Sequence, residues 1–518
     1  MTTSRSRRLL ATLTLALTGG ALSIAGTGRA ATAALDPGFG SAGRADVHGV
    51  SSDFAVDLAR VPGGGMVGVS TVVTPAQGTD GVVFRLGEDG RYDADFGLVH
   101  LDIKGANDVA SSVAVQPDGK ILVGGRTSEN GDGTVWRLLP SGVRDGSFGA
   151  MGLAELDNGG YETVLDVAAF PFGRVVAVGA TTYYGSSDRT IWRLKTDGTP
   201  DTTWNTVGTQ IWVYPGFDTL RRVLVRPDSR IVATGVEAGQ PLDVWGYDVV
   251  GNLDKSFHPD GHVTVPGTLP SGVDMAFRED GSVVVAGVDA SSTDIRVAHL
   301  DGDHVDPTFG GPSGARLDLG GSETVNTVLP LAAGRVLVSG RTSTGGGRAF
   351  LALLGRDGGL DPVFGDGGVV YPGDLESVTA TAVQSDGDVI AAGPVSELST
   401  DALVLRYLDP TVAHPTGGGG QIGSSVSCAG RPATIVGTPG GDRLKGTQKS
   451  DVIVALAGDD RVKGLGGNDV VCGGDGNDKV SGGMGKDRLY GEGGKDRLAG
   501  GTGKDRLAGG PQHDEVRP

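Results

Sequence analysis

The sequence contains little cysteine, few aromatic residues and no long hydrophobic run beyond its N-terminal end. Its two cysteines are Cys428 and Cys472, so a thiol nucleophile is excluded from everything that precedes Cys428. No segment after the N-terminal one is apolar for long enough to span a bilayer. Aromatic residues make up only 5%, whereas glycine occupies 92 positions, and this balance favours short strands and tight turns over helices.

Several common catalytic motifs are also absent. The chain has no G-x-S-x-G nucleophile elbow, no H-E-x-x-H helix and no G-x-x-x-x-G-K-[ST] phosphate loop. Two pairs of histidines lie close in sequence, His258 with His262 and His299 with His304, and we interpret them as loop histidines in solvent. The many acidic residues do not single out an acid–base pair. We therefore assign no catalytic residue and no organic cofactor from the sequence.

The charge is acidic overall and unevenly placed, with a formal net charge of -18. Residues 1–33 contain four arginines and no acid, and residues 428–518 are nearly balanced, with 14 basic and 13 acidic residues. Residues 34–427 carry 49 acidic against 26 basic residues. A body of this sign repels phosphates, so nucleic acid is not expected as a partner. Solubility is the simplest interpretation of the acidic charge.

Residues 1–33 resemble a secretory signal peptide. Arg5, Arg7 and Arg8 precede an apolar run from Leu9 to Leu17, and Ala31-Thr32-Ala33 offers a small-x-small cleavage site. The paired arginines also fit a twin-arginine signal loosely, so the export route stays open. We therefore expect a secreted, extracellular or cell-surface bacterial protein. Outside the cytoplasm the two cysteines would most simply pair as a disulfide.

A repeated unit occurs seven times within residues 34–409. Its first mark is an aspartate three residues before an aromatic side chain. The seven pairs are Asp36/Phe39, Asp93/Phe96, Asp145/Phe148, Asp201/Trp204, Asp254/Phe257, Asp306/Phe309 and Asp361/Phe364. The second mark is a hairpin sequence, best seen in Gln116–Gly119, where proline presets the turn and glycine supplies a positive φ. A third strand, such as Asp132–Leu138, ends the unit.

Each unit has about four short strands, and a single four-stranded sheet cannot bury its faces alone. Radial stacking of such units predicts an all-β chain with a seven-bladed β-propeller. We expect the first strand, near residues 43–48, to complete the last blade beside the strand at 401–408, because this exchange removes two sheet edges. We interpret the recurrent aspartates and aromatics as turn caps and blade contacts, since repetition places like groups around a ring.

The repeat resembles the delta-sixty repeat, a bacterial β-propeller repeat with L-D-x-x-F-G and Q-P-D-G-K marks. The resemblance covers nearly all of residues 34–409 and implies a propeller without any assigned chemistry. Two blades depart from the pattern. Asp248 is taken to replace the strand arginine in the fourth blade, and Arg348 replaces the strand-opening aspartate in the sixth.

After residues 410–427, which we interpret as a flexible linker, the period changes to nine. An aspartate recurs every nine residues and is followed two residues later by an aliphatic residue. The nine aspartates are Asp442, Asp451, Asp460, Asp469, Asp478, Asp487, Asp496, Asp505 and Asp514. The pattern resembles the RTX, or haemolysin-type, calcium repeat G-G-x-G-x-D-x-U-x. This resemblance implies a calcium-dependent parallel β-roll over residues 428–518.

The chemistry of calcium accounts for this pattern. Ca²⁺ takes six to eight oxygen ligands, and two facing glycine-rich loops can supply carbonyl and aspartate oxygens together. Two nonapeptides make one coil, so we expect two lines of aspartates, one on each side, with the aliphatic residues stacked between them. We expect Ca²⁺ as the cofactor, bound by the aspartates from Asp442 to Asp505. The best-matched loop consists of Gly473, Gly474, Asp475, Gly476, Asn477 and Asp478.

The loops differ in quality. Lys486, Lys495 and Lys504 directly precede an aspartate, where this repeat usually has Asn or Asp, and a neighbouring ammonium should weaken cation binding. The loops before Asp451 and Asp514 match poorly and are predicted end caps. We expect the strongest sites around residues 460–487, and a disordered roll in the absence of calcium.

A disulfide between Cys428 and Cys472 would tie the entry of the roll to its first coils. Three hypotheses for function remain open. The first is a non-enzymatic binding protein, whose propeller contacts cell-wall or extracellular polysaccharide or protein and whose roll folds on Ca²⁺ after export. The second is an extracellular polysaccharide hydrolase or lyase with its site in the propeller channel. The third is a structural spacer in matrix or envelope.

Overall fold

The structure is a computed structural model, described for residues 35–47, 55–74, 78–103, 105, 107–128, 131–183, 185–213, 216–237, 239–384, 386–395, 402–408, 427–428, 431–432, 435–436, 442–455, 458–510 and 515–517. The predicted signal peptide and residues 410–426 of the predicted linker lie outside the described residues. The protein is all-β, with a seven-bladed propeller followed by a parallel β-roll. Its described helices are two 3₁₀ turns, Ala332–Gly334 and Thr344–Gly346. No described helix has the length and hydropathy needed to cross a membrane.

Seven antiparallel sheets form the blades, and the first strand, β1 (Arg44–Val47), belongs to the last of them. Blade 1 contains β2 (Ala55–Arg60), β3 (Met66–Thr74), β4 (Gly78–Leu86) and β5 (Val99–His100). Blade 2 contains β6 (Asp108–Val115), β7 (Ile121–Thr127), β8 (Gly133–Leu138) and β9 (Leu153–Leu156). Blade 3 contains β10 (Tyr161–Ala169), β11 (Val175–Tyr183), β12 (Ser186–Leu194) and β13 (Thr209–Trp212). Blade 4 contains β14 (Thr219–Val225), β15 (Ile231–Val236), β16 (Leu242–Tyr247) and β17 (His262–Val265).

The remaining blades follow the same order. Blade 5 contains β18 (Thr268–Phe277), β19 (Val283–Asp289), β20 (Ile295–Asp301), β21 (His304–Val305) and β22 (Ala315–Leu317), the last two both paired with β20. Blade 6 contains β23 (Glu323–Pro330), β24 (Val336–Thr342), β25 (Arg348–Leu354) and β26 (Val369–Val370). Blade 7 contains β27 (Ala380–Val383), β28 (Val389–Pro394) and β29 (Ala402–Tyr407), completed by β1.

The ring closes by exchange of its first strand, as the sequence predicts. β1 pairs antiparallel with β29, with Arg44 opposite Leu405 and Val47 opposite Ala402. This pairing joins the two ends of the repeat in one sheet and removes two edges that would otherwise be unpaired. The prediction of seven blades with exchanged strands is therefore confirmed.

The aspartate–aromatic mark caps a turn and joins neighbouring blades. In blade 2 the Ser147 N–H donates to Asp145 Oδ1 at 3.0 Å, and Arg137 Nε donates to Asp145 Oδ2 at 2.8 Å. The Arg137 guanidinium lies 4.4 Å from the ring centroid of the fully buried Phe148. Its Nη1 also donates to the Thr196 carbonyl of blade 3 at 2.6 Å. The interpretation of these repeated residues as turn caps and blade contacts is confirmed.

At two positions the structure corrects the interpretation of the sequence. The strand register places Gly246, opposite Val232, at the position of the strand arginine in blade 4, whereas Asp248 lies in the following turn. In blade 5 this position holds His299, which is on β20 and 9% exposed rather than in a solvated loop. Its Nδ1 lies 2.9 Å from Asp306 Oδ2, so it takes over the arginine's bond to the turn aspartate.

The roll consists of two five-stranded parallel sheets whose strands alternate along the chain. The first sheet contains β32 (Ile435–Val436), β34 (Val452–Val454), β36 (Val470–Asp475), β38 (Arg488–Gly493) and β40 (Arg506–Ala508). The second contains β33 (Arg443–Lys445), β35 (Arg461–Gly466), β37 (Lys479–Met484), β39 (Arg497–Thr502) and β41 (Glu515–Arg517). A short hairpin, β30 (Ser427–Cys428) with β31 (Arg431–Pro432), precedes them.

Every strand pair of the roll is offset by two nonapeptides, as Val471 opposite Leu489 illustrates. Between the sheets lies a narrow aliphatic core. Its buried members are Ile453, Ala455, Val462, Val471, Val480, Leu489 and Leu498. Leu444 and Leu507 are only partly buried, and Val516 is 43% exposed. Burial is therefore lost toward the ends, because an end coil has a neighbour on one side only.

Candidate metal centre in the roll

The aspartates of the roll form two ladders in which each step spans two nonapeptides. The first ladder comprises Asp442, Asp460, Asp478 and Asp496, and the second comprises Asp451, Asp469, Asp487 and Asp505. Along the first ladder, each aspartate N–H donates to Oδ1 of the next aspartate at 2.6 to 2.9 Å. The same bonds in the second ladder measure 2.9 to 3.0 Å. Asp514 lies outside the described residues.

One oxygen of each aspartate in the middle of the two ladders has no hydrogen-bond partner among the described residues. Asp460, Asp469, Asp478 and Asp487 are at most 1% exposed, and their Oδ2 atoms are buried without a partner among the described residues. A buried charged oxygen in this state costs several kcal/mol unless a proton or a cation compensates for it. The ladder thus presents a row of unsatisfied hard oxygen atoms.

The glycines of the loops allow these oxygens and the neighbouring carbonyls to come close. A Cβ at Gly473 would lie 2.4 Å from Asp478 Oδ2, so a side chain there would displace the carboxylate. A Cβ at Gly476, which has a φ of 127°, would lie 2.3 Å from the Gly458 carbonyl oxygen of the preceding coil. Gly474 also has a positive φ, of 101°. These glycines bring carboxylate and carbonyl oxygens together, which is the ligand chemistry that Ca²⁺ prefers.

The aligned carboxylates disfavour their own ionisation. Burial raises the pKa of Asp478 to about 6, and the charges of Asp460 and Asp496 act in the same direction. Burial likewise raises the pKa of Asp460, Asp469 and Asp487. A divalent cation bound along the ladder would remove this repulsion. The donor set therefore fits a hard cation.

A second row of hydrogen bonds, from backbone N–H groups to side-chain oxygens two nonapeptides earlier, explains why the loops with lysine differ from those with asparagine. The Asn477 N–H donates to Asp459 Oδ1 at 2.8 Å, and the Lys495 N–H donates to Asn477 Oδ1 at 3.1 Å. The same row on the other side ends where the Lys486 N–H donates to Asn468 Oδ1 at 2.9 Å. Lysine has no acceptor, so its side chain cannot continue the row. The Asp475 side chain lies outside the described part.

The lysines also line the two grooves that run over the aspartate ladders. Each groove has a volume of about 500 Å³. Lys495 lines the groove of the first ladder, and Lys486 and Lys504 line that of the second. Their ammonium groups place positive charge beside the later aspartates, which disfavours a further cation there.

Cys428 and Cys472 are joined by a disulfide with a Cα–Cα distance of 5.7 Å. Both cysteines are buried and pack with Val454 and Val470. The bond holds β30 against β36, in the middle of the first sheet. It closes a loop over a sequence separation of 44 residues.

At the axis of the propeller, the inner strands bring together unlike charged groups that the sequence did not indicate. Asp57, Asp166 and Asp274 come from β2, β10 and β18, and Arg222 comes from β14. Arg222 Nε lies 2.5 Å from Asp274 Oδ1, and its Nη1 lies 3.6 Å from Asp166 Oδ1. Burial raises the pKa of Asp166 to about 7. All four residues lie directly after the register shift in the first strand of their blade, but the residue type at this position differs between blades, so a search for recurrent residues does not find them.

The side chain of each axial aspartate also accepts a hydrogen bond from a backbone N–H of the next blade. The Val113 N–H donates to Asp57 Oδ2 at 3.0 Å, the Val223 N–H donates to Asp166 Oδ2 at 2.8 Å, and the Val328 N–H donates to Asp274 Oδ2 at 2.7 Å. These bonds link blade 1 to blade 2, blade 3 to blade 4, and blade 5 to blade 6. The axial charges thus have partners within the protein, and their first role is to fasten the ring.

Two sequence families match parts of the chain. The RTX calcium-binding nonapeptide repeat matches in four copies, at residues 436–471, 445–480, 464–498 and 481–516. A β-propeller domain of unknown function, DUF5122, matches residues 116–148 and 173–203. No curated protein matches the sequence. The resemblance to the delta-sixty repeat stays a prediction.

Solved structures with a similar shape are distant. Sqt1 of Chaetomium thermophilum, bound to the N-terminus of ribosomal protein L10, is 15% identical with a TM-score of 0.40, covering 70% of this chain and 98% of Sqt1. A luciferin-regenerating enzyme is 9% identical with a TM-score of 0.35, covering 71% of this chain and 96% of that enzyme. Values this low carry no argument about function. The chain thus contains RTX calcium-binding repeats after a seven-bladed propeller that includes a DUF5122 domain.

Proposed function

We propose that this chain is a secreted, non-enzymatic binding protein whose roll binds Ca²⁺ and folds only where calcium is abundant, outside the cell. The observation that carries the proposal is the row of buried Oδ2 atoms without partners at Asp460, Asp469, Asp478 and Asp487. We assign the aspartates from Asp442 to Asp505 as ligands, together with carbonyl oxygens of the glycine-rich loops.

The balance of charge couples calcium to folding. Without a cation, forming the roll buries aligned carboxylates that repel one another, and the narrow aliphatic core is small compensation. With a cation the same carboxylates become ligands, and the free energy of binding adds to the free energy of folding. Extracellular calcium-binding modules have dissociation constants of about 10⁻⁴ to 10⁻³ M. A roll in this range would stay unfolded during export and fold afterwards.

The propeller, for which we propose bounds of 34–409, is then the part that contacts a partner. Its acidic composition and the use of its axial charges as blade contacts favour binding over catalysis. Cell-wall or extracellular polysaccharide, or an extracellular protein, is the partner class that an exported acidic propeller would meet. The roll, with bounds of 428–518, would stabilise or attach it.

Calcium binding can be tested on the full chain. All five tryptophans, at 136, 192, 204, 212 and 245, lie in the propeller, whereas the roll strands are rich in lysine and arginine. Trypsin cleavage mapped by mass spectrometry therefore reports the roll, and tryptophan fluorescence reports the propeller. We expect rapid cleavage between residues 443 and 517 in chelator, and protection as Ca²⁺ rises to about 1–10 mM. Equal cleavage with and without Ca²⁺ at about 10 mM would refute the proposal.

The alternative function is an extracellular hydrolase or lyase of polysaccharide, and the propeller axis favours it in one respect. A cavity of about 510 Å³ opens there, with Ser111, Arg221 and Arg222 among its lining residues. The pKa of Asp166, raised to about 7, would suit a general acid. Reducing-end release from a panel of acidic and neutral polysaccharides tests this function. Activity that Asp166→Asn abolishes with a changed pH profile would establish it, and no activity on the panel would reject it.

A further inference from the structure

Three clusters of carboxylates lie between neighbouring propeller blades, far from the roll in sequence. Cluster A comprises Asp80, Asp102 and Asp108, cluster B comprises Asp132, Asp157 and Glu162, and cluster C comprises Asp294, Asp318 and Glu323. In each cluster one oxygen of every carboxylate lies within 4.8 Å of the other two. Like charges this close repel strongly unless a cation lies among them.

The three clusters occupy the same positions of the repeat. The first acid stands at the start of the third strand of a blade, the second follows the last strand, and the third stands at or next to the start of the inner strand of the next blade. The junctions are those of blades 1 and 2, 2 and 3, and 5 and 6. At the junction of blades 3 and 4 the first and third acids are Asp188 and Asp218, but the exposed Val213 takes the place of the second. A complete set of three acids is thus a property of particular junctions.

Several of these carboxylates are buried with oxygens that have no partner. Asp80 is 0% exposed, and neither of its oxygens has a hydrogen-bond partner in the part of the chain that the structure describes. Asp108 is also fully buried, with Oδ1 in the same state, and so are Glu162 Oε2 and Glu323 Oε2. Burial raises the pKa of Asp108 to about 6, and the charges of Asp102 and Asp80 add to this. Cluster A therefore contains two buried acids with unsatisfied oxygens, both oxygens of Asp80 and Oδ1 of Asp108.

The remaining oxygens are held by the loop that connects the blades. In cluster A, the Gly105 N–H donates to Asp102 Oδ1 at 2.7 Å, and the Ile103 N–H donates to Asp108 Oδ2 at 2.6 Å. Since one oxygen of each of these two carboxylates is fixed by the backbone, the other is left for the centre of the cluster. Cluster B is built alike, because the Gly159 N–H donates to Asp157 Oδ1 and the Gly160 N–H donates to Glu162 Oε1.

Cluster C shows what happens when a cationic side chain is present. Arg316 Nε donates to Asp294 Oδ2 at 2.5 Å, and its Nη2 lies 3.7 Å from Asp318 Oδ2. The strand register places His100 of blade 1 and Glu155 of blade 2 at the position of Arg316. Within the described ranges, no lysine or arginine forms an ion pair with the carboxylates of cluster A; Arg144 Nη2 donates to the Asp102 backbone carbonyl at 2.8 Å, and the charge of His100 lowers the pKa of Asp80 only against the larger effect of burial, which raises it. The guanidinium compensates cluster C, while cluster A has no such group.

We propose that clusters A and B each bind one Ca²⁺ ion between neighbouring blades, with the three carboxylates as ligands, and that Arg316 takes the place of the ion in cluster C. Hard carboxylate oxygens from two blades suit Ca²⁺, which accepts irregular arrangements of six to eight oxygens. Each ion would join the end of one blade to the inner strand of the next. Calcium would then stabilise the propeller independently of the roll.

The test counts bound calcium on the full chain by equilibrium dialysis and elemental analysis. We expect Asp80→Asn and Asp132→Asn each to lose one Ca²⁺ per chain, while Asp188→Asn, at the same repeat position without a complete set, loses none. The combined variant Asp469→Asn/Asp478→Asn weakens the roll and should leave the two propeller ions bound. This variant separates the present inference from calcium binding by the roll.

Thermal unfolding followed by tryptophan fluorescence gives a second measurement. Asp80→Asn removes a repulsion in chelator and a ligand in calcium, so its midpoint should rise in chelator and respond less to Ca²⁺. If Asp80→Asn fails to fold, the half-buried Asp102→Asn replaces it. An unchanged calcium count in these variants, or an equal loss in Asp188→Asn, would overturn the proposal.

Discussion

Replacement of Asp478 by asparagine should change the stability of the roll in opposite directions with and without calcium. Asparagine keeps an Oδ1 that can accept the Asp460 N–H, so the backbone contact at 2.9 Å is preserved. What changes is the charge on the buried Oδ2, which has no hydrogen-bond partner in the described structure. The substitution therefore isolates the role of the carboxylate charge.

The size of the expected change in roll stability follows from the pKa of Asp478. A rise in the pKa of Asp478 from 3.8 to about 6 corresponds to an ionisation cost of at most about 3 kcal/mol at neutral pH. Because the groove is open to solvent, screening reduces this to about 1–2 kcal/mol. In chelator, Asp478→Asn should thus stabilise the roll by about that amount. In calcium it should raise the concentration needed for folding, since the ladder places Asp478 between Asp460 and Asp496 and both neighbouring sites lose a ligand.

The assay is trypsin cleavage of the full chain over a range of urea and Ca²⁺ concentrations. Asp459→Asn is the matched control, since Asp459 lines the same groove but is exposed, and its effect should be small in both conditions. If Asp478→Asn lowers stability equally in chelator and in calcium, its carboxylate has a structural role only and the reasoning is wrong.

Three further predictions concern the roll. Cys428→Ser/Cys472→Ser should destabilise it by about 4 kcal/mol by loop entropy, and so raise the calcium midpoint measured by trypsin protection; an unchanged midpoint would show that the disulfide contributes nothing. Lys495→Asn removes an ammonium from the first groove and restores an acceptor. It should therefore lower the calcium midpoint by about two- to five-fold, which corresponds to a gain of about 0.5–1 kcal/mol in the free energy of calcium binding. A higher midpoint would contradict this. In chelator the roll should become more stable as pH falls, because its folded aspartates have raised pKa values and bind protons more readily than the unfolded chain, Asp478 with a pKa of about 6. Hydrogen exchange of roll peptides at pH 7.5 and pH 5 measures this, and weaker protection at pH 5 would refute it.

The sequence by itself determined the parts of this protein that repeat. A nine-residue period with an aliphatic residue two positions after each aspartate specifies a coil of two nonapeptides, because only that coil stacks Val471 on Leu489 and carboxylate on carboxylate. The aspartate–aromatic mark and the Gln116–Gly119 turn likewise determine a blade, since each acts over a few residues. Local rules of turns and of alternation suffice for such elements.

Only the tertiary structure decided which non-repeating residues meet. His299 is buried because it occupies the position of the strand arginine in blade 5. Gly246 occupies the same position in blade 4, and only the pairing of the strands shows this, because the spacing along the sequence indicates Asp248. Asp80 and Asp108 belong to different blades, so their approach depends on how two sheets pack. The physical reason is that packing between blades brings distant residues together, whereas the repeat pattern determines only the contacts within each blade.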